Sequence, residues 1–145
     1  MSRLRLVIVS LAVLVVAAGA FMAWKMLQPP PADLDLARTK VTANGAFSVS
    51  VAPEAGEATQ GPLHNWVVTV KTPQGAAVDG ATIAIDGGMP QHGHGLPTSP
   101  QMTKALGDGR YLVEGVRFNM GGWWEFKLVI DAGGVRDAVT FNLVL

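Results

Sequence analysis

The chain has 145 residues, 49% of them apolar, and no cysteine. A core of ordinary domain size is available, whereas disulfides, thiolate catalysis and cysteine-held zinc or iron–sulfur centres are excluded. Eleven basic side chains balance eleven acids, so no net field points to nucleic acid.

Three of the basic residues, Arg3, Arg5 and Lys25, precede every acid, which leaves the remainder mildly acidic. Between them, positions 6–24 form an apolar run relieved only by Ser10 and Gly19. As a helix this run is roughly 28 Å long, the thickness of a bilayer's hydrocarbon core. Two readings compete. Ala18-Gly19-Ala20 offers a small-x-small signal-peptide cleavage site, whereas continuation through Phe21, Met22 and Ala23 to Trp24 and Lys25 describes an uncleaved anchor ending in an interfacial aromatic and a snorkelling cation. The anchor fits the length better, and the basic amino terminus places residues after Lys25 across the membrane, which in a bacterial cell would make an inner-membrane protein with its body in the periplasm. The signal reading exports the same body.

Pro29-Pro30-Pro31 ends the helix and reads as a stiff spacer, so 1–27 is expected to be the membrane or signal segment and 28–45 a linker and lead-in. From position 46 onward, short runs rich in Val, Ile, Phe, Trp and Thr alternate with turn residues at 53–61, 72–75, 107–109 and 132–134. The runs, 46–52, 64–71, 81–86, 101–105, 110–118, 123–131 and 135–145, predict about seven strands. Val49-Ser50-Val51 and Ile83-Ala84-Ile85 show the period of two. The expected fold is all-β: one immunoglobulin-like β-sandwich over 46–145, behind the amino-terminal helix.

The connection between Asp86 and Gln101 is long and rich in Gly and Pro, and it carries His92 and His94 within Met89-Pro90-Gln91-His92-Gly93-His94-Gly95. Histidines at i and i+2 of an extended backbone point the same way, and thioethers nearby add soft donors. Imidazole with thioether favours copper. His92 and His94 are the expected core ligands. Met120, in a turn at a strand end, is the expected sulfur donor, with His64 and Met89 as further candidates. A polar surface turn for the histidines, and core packing for the methionines, are the competing structural readings. Trp123 and Trp124 are adjacent, so one ring faces inward and the other outward, where it is free to cap a soft cation or meet a partner.

Gly87 to Thr98, then Gly107-Asp108-Gly109-Arg110-Tyr111, Glu114 to Met120 and Gly122-Trp123-Trp124-Glu125, resemble the YtkA-like or FixH-like family of bacterial exported domains, over roughly Gly61 to the carboxyl terminus. The resemblance implies an immunoglobulin-like sandwich behind an export or anchor segment, in copper-handling or oxidase-assembly settings. The ligand chemistry also resembles that of periplasmic copper chaperones holding copper(I) with His and Met. The expectation is a membrane-anchored copper(I)-binding domain with a copper-trafficking or oxidase-assembly partner. The alternatives are a metal-free module that binds another membrane protein, and zinc held by three histidines. An enzyme is not expected, since Ser48, Ser50 and Ser99 have no acid–base pair beside them and no phosphate loop is present.

Overall fold

The computed structural model describes residues 2–145; Met1, the first residue of the expected membrane or signal segment, lies outside them. Helix α1, Arg3–Met26, has a mean hydropathy of 2.7 over its most apolar stretch and no buried residue. At roughly 36 Å it is long enough to cross a bilayer. It ends at Leu27, before the three prolines, with Lys25 in its last turn.

Among the described residues nine antiparallel strands follow: β1 Thr39–Val41, β2 Ser48–Pro53, β3 Leu63–Lys71, β4 Thr82–Met89, β5 His94–Gly95, β6 Gln101–Gly107, β7 Arg110–Arg117, β8 Trp123–Ala132 and β9 Val135–Val144. They form two sheets, of order β1-β2-β3-β7-β6 and β5-β4-β8-β9. Seven correspond to the predicted runs. The two additional strands are short. β1 has little apolar alternation and exists through pairing with β2, while β5 is two residues of the histidine connection paired back onto β4.

The core is built by strand parity. Val49 and Val51 of β2, Trp66, Val68 and Val70 of β3, and Tyr111 and Val113 of β7 face inward from one sheet. Trp124, Phe126, Leu128 and Ile130 of β8, with Val139, Phe141 and Leu143 of β9, face them from the other. At one end lie the 42–47, 72–81, 107–110 and 132–135 connections; at the other lie 53–63, 89–94, 118–122 and the carboxyl terminus, as the strand directions and registers require.

Two polar clamps close the end remote from the histidines. The Tyr111 hydroxyl, on a ring 1% exposed, donates to Val78 O at 2.5 Å and accepts from Ala81 N at 3.0 Å. Asp137, 3% exposed, accepts from the backbone amides of Asn44, Ala46 and Ala138 and from Asn44 Nδ2, tying the β1–β2 turn to β9. The nearby Thr42 hydroxyl accepts from Phe47 N at 2.9 Å and donates to Phe47 O at 3.3 Å. That hydroxyl first, then the Ala138, Ala46 and Asn44 amides, lower the Asp137 pKa from 3.8 to about 2.

Tyr111→Phe is expected to strand a buried amide and carbonyl and to cost about 1–3 kcal/mol in urea unfolding of residues 28–145. For Asp137 the folded pKa is the lower one, so its contribution is present above the unfolded value near 3.8 and fades as pH falls toward about 2. The difference in melting temperature between the native chain and Asp137→Asn should accordingly be large at neutral pH and shrink across that acid window.

Candidate metal centre

Gly87 and Gly88 set the geometry of the histidine connection. A Cβ on Gly87 would lie 2.4 Å from Glu125 O, and one on Gly88 2.4 Å from His94 O. Only bare backbone lets β8 and β5 approach β4 this closely. The predicted strand at 81–86 therefore continues to Met89, and the chain turns at once: His92 N and Gly93 N both donate to Met89 O, at 3.0 and 2.9 Å, and Gly93 takes φ 70°. Met89 pairs with His94. The expected extended loop is thus a tight hairpin. His92 sits in its turn and His94 in its return strand.

Their side chains nevertheless come together. The two rings stack at 28° with centroids 6.0 Å apart. His94 Nδ1 lies 3.1 Å from Gly95 O, so a proton held there donates to that carbonyl and leaves the Nε2 lone pair outward. His94 is exposed and His92 half-buried. Beside them, Asp86, Gly88, Met89, His94 and Glu125 line an open depression of about 350 Å³.

Beneath His94 lies Trp124, T-shaped against it at 5.8 Å. The sequence pointed to the outward-facing Trp as the ring available to a cation; it is the inward one, fully buried, that meets the histidines, because the hairpin folds over the end of the sandwich. The parity of Trp124 with Phe126, Leu128 and Ile130 carried this assignment. Trp123 is half-buried and donates from Nε1 to Asn142 Oδ1 at 3.0 Å.

The remaining candidates separate. Met120 is 38% exposed, and its carbonyl accepts from Trp124 Nε1 at 3.0 Å, so one indole is shared by Met120 and His94. Met89 is 1% exposed and belongs to the core, its methyl packed against Gly122. His64 lies at the same end of the sandwich but beyond two aromatic rings: His64–Phe118 6.4 Å, Phe118–Trp124 5.3 Å, Trp124–His94 5.8 Å. Its Nε2 is held against Thr59, 2.8 Å from the carbonyl and 3.1 Å from the amide. Among the described residues no three His, Asp or Glu side chains are grouped to hold a metal, so three-histidine zinc has no site here.

With the sandwich and its histidine hairpin in view, comparison with known proteins is informative. The YtkA-like family model matches residues 40–129. The chain belongs to the YtkA-like family. The match runs from β1 into β8 and contains the whole histidine hairpin. Among solved structures, a DUF4426 family protein from Pseudomonas aeruginosa PAO1 superposes with a TM-score of 0.53 at 12% identity, covering 74% of this chain and 94% of that one. That likeness is one of fold. No curated protein matches.

The glycine geometry yields a direct test. Gly88→Ala is expected to push β5 off β4, costing about 1–3 kcal/mol in unfolding free energy. It should also release His94 from Trp124, read as a change in Trp124 emission.

Proposed function

We propose that this YtkA-like domain is a membrane-anchored, periplasmic copper(I)-binding module that receives and passes on the ion, without catalysing a reaction, in copper handling or oxidase assembly. The observation that carries it is the pairing of His92 and His94 at 6.0 Å. A metal–nitrogen bond of about 2.0 Å plus the distance from nitrogen to ring centre gives two imidazoles on opposite sides of one ion a span of about 6 Å. Copper(I) accepts that near-linear arrangement, whereas zinc requires further donors. Rotation about χ2 turns the stacked rings to present nitrogens to a common point, and the hairpin's solvent-facing side leaves room for it.

Met120 is the proposed third donor, since its backbone is fixed on the indole that His94 touches and the residue is exposed, not packed in the core. His64 and Met89 are left out of the ligand set, the first engaged at Thr59 beyond Phe118 and the second packed in the core. A shallow site of two imidazoles and one thioether, with no thiolate, releases as readily as it binds, as a carrier requires. The non-catalytic reading is supported by Ser50, whose hydroxyl is bonded to Thr39 Oγ1 at 2.8 Å and not to a base.

Anaerobic titration with copper(I) against a competing chelator tests the proposal. His92→Ala and His94→Ala should each weaken binding by on the order of tenfold or more, which corresponds to about 1.4 kcal/mol per decade, and Met120→Leu by less. Affinity unchanged in the double histidine variant would falsify the assignment.

A further inference from the structure

The stretch that follows α1 does not hold the sandwich away from the helix. Gln91, in the histidine hairpin, donates from Nε2 to Pro29 O at 3.0 Å and lies 3.3 Å from Gln28 O. Farther along, Asn142 Nδ2 donates to Asp35 O at 3.0 Å, and Lys40 pairs with the Asp35 carboxylate at 3.0 Å. The chain just after the helix is therefore bonded to the hairpin at Gln91, next in sequence to His92.

Between the end of the helix and the hairpin lies an open cleft of about 250 Å³ lined by Lys25, Gln28, Pro90, Gln91 and Trp123. Lys25 is exposed and has no ion-pair partner among the described residues, and no acid lines the cleft. The Trp123 N–H is already bonded to Asn142, which leaves the indole ring as its contribution to the cleft. A cation, an amide and an aromatic ring at the end of an apolar helix are the side chains that the headgroup layer of a bilayer accommodates.

We propose that this cleft is a seat for phospholipid headgroups, with Lys25 against a lipid phosphate and Trp123 at the level of the glycerol backbone. The inference rests on the anchored reading of α1. Its consequence is positional: the hairpin carrying His92 and His94 lies on the bilayer surface, so the ion is exchanged in the plane of the headgroups, and the opposite end of the sandwich, with the Asp137 clamp, points into the periplasm.

The full chain in nanodiscs of phosphatidylcholine and phosphatidylglycerol provides the test. Trp24→Phe removes the indole within the helix, and the same chain with Trp123→Phe gives the baseline from buried Trp66 and Trp124. Lipids brominated near the glycerol end of their acyl chains should lower the Trp123 component roughly twofold, as expected for an indole in the interfacial layer. The paired change Lys25→Gln with Gln91→Ala should restore most of that emission. Equal Trp123 emission in brominated and plain lipid, with the chain incorporated, overturns the seat and leaves the anchor standing. Elution of the intact chain apart from the lipid overturns the anchor, and the seat with it. Both outcomes are independent of the copper titration.

Discussion

Trp124 joins the candidate site to the rest of the molecule. Its ring is wholly buried at the start of β8, edge-on to Phe118 from the opposite sheet and beneath His94 of the hairpin. Its one polar atom is satisfied by Met120 O. A single side chain thus closes the core, orients the 118–122 turn and supports the histidine that caps it. Phe118 extends the contact to Trp66, which packs on Phe126, so the aromatic cluster bridges both sheets. An aromatic cluster of this kind is rigid because each ring excludes the rotamers that would release its neighbours.

A rigid floor matters for a site built on a short hairpin. His92 and His94 belong to a turn closed by two amides on Met89 O and a two-residue strand, which on its own would have little persistence. Met89 anchors one side of it in the core, and Gly87 and Gly88 let β5 and β8 close on β4 without steric penalty. Met89 therefore serves the site as a fastening, with its sulfur turned inward. The lead-in from the helix adds a second fastening through Gln91, so the hairpin is held between the core and the end of α1.

The fold was largely legible. Alternation identifies a strand wherever one face is buried and the other wet, and β2, β3, β4, β7, β8 and β9 meet that condition. β6, with no buried residue, is delimited by the turn residues that flank it. β1 and β5 have neither signal, because their pairing arises from neighbours and not from their own composition. The ligand candidates were legible as residue types and only partly as an assembly. His92 and His94 lie close in sequence, and a hairpin of any tight form brings them near each other. Whether His64 reached them depended on what stood between, and Phe118 and Trp124 occupy that place.

Composition and order along the chain determined the apolar helix, the sandwich class, the absence of thiolate chemistry and the pairing of two histidines, since each follows from local pattern or from what is missing. Tertiary structure alone decided which methionine is buried, which tryptophan meets the histidines, that His64 stands apart, and that the site end adjoins the helix. Those outcomes depend on the register of strands distant in sequence and on which side chains fill the space between sheets, and no local pattern encodes them.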